Sequence, residues 1–412
     1  DDLSVDVLAV IRHRAFDTRT DDDVIRRALR LRIGQPVDLG AWSQARKRLY
    51  DTNVFRQVDI EPVPIEPTAE DSAAGLQPVR AVVRVVEYPV WRLRYGAQFI
   101  DERADVPDPD GASRLQSLGI LADLQNQNLF GRAITAGIAG RYERDRQAGS
   151  LFTSNSSFFG LPIRSSGFLF TSRQRFGSGT FQTIDQRVGA SAEQRWRPFR
   201  TGEVLWSYRF ERSSPTFPNL PPGELTPLPV TVARLNAGMY FDRRNDPTDP
   251  SKGWFSAGNW EQAIESLGSD YGSGKVLLQH AMYQGIKRLV LAGRVQAGRG
   301  YGEEPLIVTE RFMLGGATTV RGYGEESLGP GAPFGLPGGD ALINLNAEVR
   351  FPVRGWVQGV AFVDAGNVFA SASELSFRDL AVGYGAGLRL ASPFAMLRVD
   401  FGIPARAVDG RP

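Results

Sequence analysis

The residues with the most specific chemistry lie in a glycine-rich stretch late in the chain, Phe312–Gly324, which reads FMLGGATTVRGYG. Its four glycines leave the backbone free for positive φ angles and close approach. Near its end lie a cation, Arg321, and the aromatic Tyr323. A long loop with a charged tip needs a partner for that charge. We expect the tip to lie inside a β-barrel, against carboxylates of later strands; the alternative is an external hairpin whose arginine is solvated.

Two carboxylates that follow the loop lie on the polar side of predicted strands. Glu348 shares its strand parity with Asn344, and Asp364 shares its parity with Gln358. A carboxylate inside a barrel wall is costly unless it is hydrated or paired, and a guanidinium supplies a planar fork of donors for it. We therefore predict a mechanical role for Arg321, which latches the loop to the inner wall and fixes the adjoining strands.

Long strands of alternating polarity must position these groups. In Val90–Ile100, Arg92 and Arg94 lie on one face, and the apolar face carries Trp91, Leu93, Tyr95, Ala97 and Phe99. A soluble sandwich also alternates, but these strands are long enough to cross a membrane when tilted. A sheet in lipid must close on itself. We count roughly fifteen strands, about eleven before Phe312 and about four after it. Bacterial single-chain barrels have even counts, so either a sixteenth strand is missing from this sequence or the count is wrong by one.

The composition argues against several classes of protein. The 412 residues include no cysteine, so a disulfide framework and a thiolate nucleophile are impossible. A net charge of +2 without a basic block argues against nucleic acid. His13 and His280, the only histidines, show no neighbouring partners for a metal site or a catalytic triad. We expect no enzyme activity, no metal and no cofactor. Because Asp1 is followed by no signal-peptide pattern, we expect a mature chain or part of a longer one.

The first 87 residues differ in pattern from the rest. They predict a small α+β domain of order β-α-α-β-β, and residues 88–412 predict the barrel. Thr20 followed by Asp23 predicts a capping box for the first helix, which we expect to run to about Leu31. The domains are therefore assigned to residues 1–87 and 88–412, with the long loop at about residues 312–340.

Several stretches carry a family resemblance. GQPVDLGAWSQARKRLYDTNVFRQVDI resembles the polypeptide-transport-associated (POTRA) domain of outer-membrane assembly proteins. VRGYG together with FVDAG, residues 362–366, resembles the BamA/TamA superfamily of outer-membrane barrels, which includes two-partner-secretion transporters. NQNLFGRA, DRRNDPTDPSKGW and YGAGLRLASPFAMLRVDFGIP resemble further turns and strands of that family, in the same order along the chain.

The resemblance implies a POTRA domain in the periplasm followed by an antiparallel transmembrane β-barrel, with 16 strands of which the last is missing or truncated here. It implies that the sixth extracellular loop enters the lumen, where Arg321, within Val320, Arg321, Gly322 and Tyr323, meets Asp364 and Glu348. It also implies a lateral gate in which the last strand opposes the first, whose residues include Val90, Trp91, Leu93, Tyr95, Ala97 and Phe99.

The expected function is outer-membrane protein assembly or translocation, with clients inserted through the gate by strand augmentation. The expected partners are unfolded outer-membrane or secreted proteins, outer-membrane lipid, and periplasmic or lipoprotein accessory subunits, but no nucleic acid. The expected location is the bacterial outer membrane. Alternatives are a two-partner-type secretion pore, a barrel that anchors an upstream enzyme domain, and a soluble β-rich binding protein.

Overall fold

A computed structural model describes most of the chain. It covers residues 2–13, 20–31, 34, 36–67, 69–103, 114–158, 161–176, 183–218, 228–303, 305–307, 310–330, 338–391 and 396–405. It describes only the backbone of residues 2–13, 70, 71, 74, 76, 98–103, 114–118, 176, 391 and 396. The chain forms two compact units. One comprises Asp1–Gln98 with Leu118–Phe170, and the other comprises Phe99–Ser117 with Thr171–Pro412.

A three-stranded sheet with helices occupies the first part of the chain. Its elements are β1 (Asp2–His13), α1 (Asp22–Leu29), α2 (Leu39–Tyr50), β2 (Phe55–Pro64), α3 (Ala69–Ala74) and β3 (Leu76–Glu87). The central strand is β3, which is parallel to β1 and antiparallel to β2. The short α3 helix between β2 and β3 is an addition to the β-α-α-β-β order expected from the sequence.

The two longer helices pack on this sheet through side chains spaced one turn apart. Ile25 and Leu29 of α1, and Ala45 and Leu49 of α2, are fully buried against the sheet. An i, i+4 spacing places each pair on one helix face, so that each helix buries a single apolar stripe. The first helix ends at Leu29, because Arg30 adopts a left-handed conformation with φ 52°.

Fifteen described strands form the second sheet, in which consecutive strands are neighbours throughout. They are β4 (Trp91–Arg103), β5 (Arg114–Leu129), β6 (Ile134–Tyr142), β7 (Arg146–Asn155), β8 (Ile163–Phe176), β9 (Thr183–Phe199), β10 (Gly202–Thr216), β11 (Val230–Asp242), β12 (Gly253–Ala263), β13 (Ser273–Ile286), β14 (Leu289–Gly302), β15 (Ala341–Arg354), β16 (Val357–Phe369), β17 (Ala381–Ala391) and β18 (Met396–Pro404). Eleven of these strands precede the long loop and four follow it.

The turn between β5 and β6 packs against the small domain within the first unit. The Asn128 side-chain amide donates to the Thr20 hydroxyl at 2.9 Å, and the Asp21 amide donates to the Gly131 carbonyl at 2.9 Å. Ala133 is buried in the same cluster as the helices. The predicted capping box is therefore wrong: Asp21 is the N-cap, and the Thr20 hydroxyl accepts from the turn, 108 residues away in sequence.

The apolar faces of the large sheet are exposed, as β18 illustrates. Leu397, Val399 and Phe401 are 54%, 59% and 72% exposed, whereas Arg398 and Asp400 form an ion pair on the other face at 2.5 Å. A soluble sandwich buries its apolar face instead. An exposed apolar face opposite a polar one is the pattern expected of strands that face lipid. No helix among the described residues is long and apolar enough to cross a membrane.

Candidate functional site

The loop between β14 and β15 is compact and has its own apolar core. It begins at residue 303, earlier than the expected 312, because β14 ends at Gly302. Backbone pairing joins Phe312 to Gly339 and Leu314 to Leu328. The buried side chains of this core, from the loop and the adjoining strands, are Leu306, Phe312, Leu314, Val320, Tyr323, Leu328, Leu342, Val368 and Ala381. This packing orders the loop and presents its tip to strands β15–β18.

The tip of the loop is joined to β16 by a bidentate pair. Arg321 Nε donates to Asp364 Oδ2 at 2.6 Å, and Nη2 donates to Oδ1 at 2.8 Å. The Arg321 backbone amide also donates to Asp364 Oδ2 at 3.2 Å. Asp364 is fully buried and Arg321 is 5% exposed. Two parallel charge-assisted bonds fix both the position and the plane of the guanidinium.

Three further groups complete the surroundings of Arg321. Its Nη1 donates to Glu348 Oε1 on β15 and to Asp400 Oδ2 on β18, each at 2.9 Å. The guanidinium carbon lies 3.5 Å from the centre of the Phe362 ring. Phe362 and Asp364 are two residues apart, so they share a face of β16 and meet the face and the edge of one guanidinium. Through these contacts the Arg321 side chain alone joins three of the four strands that follow the loop, β15, β16 and β18.

Glycines on β17 and β18 make room for the backbone of the tip. A Cβ on Gly383 of β17 would lie 1.9 Å from the Arg321 carbonyl oxygen, and one on Gly402 of β18 would lie 2.7 Å from the Gly322 nitrogen. Gly322 itself has φ 100° and lies against the backbone of Ile403. Any larger residue at these two strand positions would displace the tip. The side-chain ion pairs and the backbone packing therefore hold the tip in the same position.

The structure brings the predicted loop residues together. Val320 is fully buried, and the Tyr323 hydroxyl donates to the Val382 carbonyl at 3.2 Å. Burial acts to lower the pKa of Arg321, but its bonds to Asp364 and Asp400 outweigh burial and raise the pKa above its ordinary value. The guanidinium therefore remains charged. Asp364 and Glu348 were predicted as partners from the sequence. Asp400 was not, although Asp400 lies on the polar face of its strand.

A cavity of about 160 Å³ lies beside the tip and is rich in arginine. Arg389 and Arg350 both donate to Glu348, at 2.7 and 3.1 Å. Arg294 donates to Asn346 Oδ1 at 2.9 Å, and among the described residues its bonds go only to neutral acceptors. The strands here thus carry three further arginines beside the carboxylates that Arg321 contacts.

A second ion cluster holds the start of the same loop, with reversed polarity. Glu310 of the loop meets Arg234 on β11 at 2.9 Å and Lys275 on β13 at 2.8 Å. Arg187 on β9 lies 4.0 Å from the same carboxylate. Burial acts to raise the pKa of Glu310, but Arg234 and Lys275 outweigh burial and hold it at about 2. Glu310 was not predicted from the sequence, although it lies two residues before the glycine-rich stretch, because its cations lie 35 to 123 residues earlier in the chain.

The predicted gate residues lie on the first strand of the large sheet, or just before it. Val90 precedes β4, and the strand itself begins at Trp91. Exposed fractions are 63% for Trp91, 61% for Leu93 and 81% for Tyr95. Ala97 is exposed too, and the Phe99 side chain falls outside the described residues. The strands at the two ends of the sheet order are β4 and β18.

The polar groups of the site show no arrangement for a metal among the described residues, where no three His, Asp or Glu side chains cluster to hold an ion. Asp364, Glu348 and Asp400 are instead held by guanidinium groups. His280 Nδ1 is hydrogen-bonded to the Ser256 hydroxyl at 2.8 Å, and the His13 side chain falls outside the described residues.

Comparison with known proteins agrees with this architecture. The chain is 26% identical to the outer membrane protein assembly factor BamA of Nitratidesulfovibrio vulgaris, over 97% of this chain and 50% of the relative. The chain thus spans about half the length of that relative. Among solved structures, it resembles BamA from Haemophilus ducreyi lacking POTRA domains 1–3, with a TM-score of 0.78 and 18% identity over 98% of this chain and 82% of the other.

A second fold likeness is to CdiB from Acinetobacter baumannii, with a TM-score of 0.57 and 14% identity over 100% of this chain and 72% of the other. The Omp85 superfamily domain model matches residues 128–412, which include the long loop, its carboxylate partners and the last strand. On this match, the chain belongs to the Omp85 superfamily.

Proposed function

We propose that this chain is an outer-membrane protein assembly or translocation factor, which inserts β-barrel or autotransporter-type clients by a lateral gate and strand augmentation. The observation that carries the proposal is the similarity to BamA over 97% of the chain, which includes the small domain as well as the strands. In this proposal residues 1–87 are a periplasmic POTRA domain, and residues 88–412 are the barrel.

The exposed apolar faces support placement in lipid. Leu93 and Tyr95 on β4, and Val399 and Phe401 on β18, are all more than half exposed. Water-facing strands would carry polar residues there, whereas lipid-facing strands bury this surface in hydrocarbon. Outer-membrane lipid is therefore the first partner of the proposed barrel.

The two end strands support a gate. Among the described residues, β4 is hydrogen-bonded in the sheet only to β5, and β18 only to β17. The free edge of a strand presents unpaired amide and carbonyl groups, which form a template for an incoming strand. A client strand would pair there, and the folding free energy of the client would drive insertion without a nucleotide or cofactor.

The Arg321 contacts support a mechanical role for the loop in this process. They join the tip to β15, β16 and β18, the last of which is an end strand. We propose that the loop holds β18 in place while a client strand pairs with the free edge of β4. Removing the Arg321 side chain takes away its bond to Asp400 of β18 and so weakens the gate.

The test is the folding of a urea-denatured porin into liposomes that contain this protein, followed by the mobility of the folded porin on unheated gels. We expect faster folding than in empty liposomes, and a smaller acceleration with Arg321→Ala. Arg288→Ala, in the exposed turn between β13 and β14, is the matched control and should fold the porin as fast as the wild type.

If the well-folded protein does not accelerate porin folding, the assembly proposal is contradicted. Steady ion conductance across the liposomes would then favour a secretion pore, for which CdiB is a fold neighbour. Absence of both activities would favour an anchor for another domain. The expected accessory subunits and client identities would be read from crosslinking of the active protein.

A further inference from the structure

The long loop is held against the strands at two places that share no residue. At its start, Glu310 contacts cations of β9, β11 and β13, which precede the loop. At its tip, Arg321 contacts carboxylates of β15, β16 and β18, which follow it. The loop thus attaches to both of the strand groups that flank it in the sheet order.

The Glu310 contacts fix both the side chain and the backbone. Lys275 Nζ donates to the Glu310 carboxylate at 2.8 Å and lies 3.3 Å from the Glu310 carbonyl oxygen. The remaining cavity at this cluster is only about 10 Å³, about the volume that a single water requires. A filled, fully paired cluster leaves the start of the loop little freedom to move.

The space around Arg321 is less tightly filled. The cavity beside the tip is about 160 Å³. Two of the three carboxylates that Arg321 contacts also accept hydrogen bonds from other cations. Glu348 accepts from Arg389 and Asp400 accepts from Arg398, at 2.7 and 2.6 Å. These two carboxylates would remain paired if Arg321 withdrew, so only Asp364 would lose its cation among the described residues.

We propose that Glu310 is a second, fixed anchor of the loop, and that the loop pivots about Glu310 when the Arg321 contacts open. Glu310 is a positioning residue: it holds the start of the loop, so that the tip returns to the same seat. The inference goes beyond the proposed activity, because it concerns the motion of the loop and can be measured without a client.

The test uses introduced thiols, because the chain contains no cysteine. Leu306→Cys reports on the start of the loop and Val320→Cys on its tip; the two native side chains are 5% and 0% exposed. Maleimide labelling of the folded protein in detergent measures how often each site opens. We expect Glu310→Gln to speed labelling at the start at least tenfold, and Arg321→Ala to do so at the tip alone.

Glu303→Gln is the matched control, because Glu303 lies in the same loop and is exposed; it should leave both labelling rates unchanged. Slow labelling at the start in the Glu310→Gln variant would overturn the anchor. Faster labelling at both thiols in the Arg321→Ala variant would overturn the pivot, because the loop would then open as one unit.

Folding of each variant is verified by its mobility on unheated gels. If Glu310→Gln does not fold, Lys275→Gln removes the shorter contact from the wall side, and Glu310 keeps Arg234. We expect labelling at the start to rise about threefold or more in that variant, with the tip unchanged. An unchanged rate at the start would contradict the proposal. None of these rates depends on porin folding, so failure of the assembly activity would be seen separately.

Discussion

Both ends of the loop are held to the strands by buried ion pairs, but the loop supplies opposite charges at the two places. At the tip, the loop supplies the cation Arg321 and the wall supplies carboxylates; at the start, the loop supplies the carboxylate Glu310 and the wall supplies cations. They differ in what remains if the loop residue is lost. Asp364 is fully buried, and Arg321 is its only ion-pair partner among the described residues.

The cations around Glu310 have other partners. Arg234 pairs with Glu261 at 3.1 Å, and Arg187 pairs with Asp185 at 2.5 Å. Loss of Glu310 would therefore leave the wall neutralised and free the loop, whereas loss of Arg321 would strand a buried charge. Arg321 therefore stabilises the strands that it contacts, whereas Glu310 mainly sets the position of the loop.

The largest effect is expected for Arg321→Ala. Breaking a buried pair by removing one partner costs about 3–5 kcal/mol, and Asp364 would keep only the Asn346 amide, at 2.7 Å, as a side-chain donor. Urea unfolding followed by tryptophan fluorescence measures the loss. Arg311→Ala, in the same loop, should cost less, because Arg311 is less buried and lies 3.8 Å from Asp340. Equal losses in the two variants would contradict the latch.

A nearly comparable effect is expected for Gly383→Ala, which leaves every charge in place. The new methyl group would lie 1.9 Å from the Arg321 carbonyl oxygen. Overpacking costs about 1–3 kcal/mol, and a backbone contact places this variant at the upper end. Labelling of the thiol in Val320→Cys should also accelerate. Gly293→Ala is the control, because its Cβ would meet only a carbonyl oxygen at 4.0 Å.

A smaller, pH-dependent effect is expected for Glu310→Gln. The folded pKa of Glu310, about 2, lies below its ordinary value of 4.5. Its charge therefore contributes stability above pH 4.5, and that contribution is lost as the pH falls toward 2. The difference in unfolding free energy between the wild type and Glu310→Gln should be constant from pH 5 to 7 and shrink below pH 4.5. A difference that grows with acidification would show that the carboxylate is not stabilised by its cations.

The smallest effect is expected for Asp400→Asn. Arg321 keeps Asp364 and Glu348, and Arg398 is 41% exposed, so water replaces its lost partner. The pair of Asp400 with Arg398 is partly exposed, and such pairs contribute about 0–1 kcal/mol, while an asparagine side-chain oxygen can still accept from Arg321. We expect a loss of about 1 kcal/mol or less in urea unfolding. A loss as large as that of Arg321→Ala would mean that the link to β18, and not the bond to Asp364, dominates the tip.

Much of the fold could be predicted because its signals are local. Alternation along β4 and β18 identified their apolar faces, and i, i+4 spacing in α1 identified its buried stripe. Helix ends were harder to predict. The Thr20–Asp23 pattern indicated a capping box, but Thr20 instead accepts from Asn128 of a distant turn. A local pattern states which bonds are available, and tertiary contacts decide which of them form.

For the loop, the sequence by itself determined that Arg321 is a lone cation in a flexible stretch and that Glu348 and Asp364 lie on polar strand faces. Only the tertiary structure decided that Asp400 joins them from 79 residues away and that Glu310 meets Arg234 and Lys275. The physical reason is that strand parity assigns a side chain to a face, whereas its neighbours on that face depend on the register of pairing and the path of the loop.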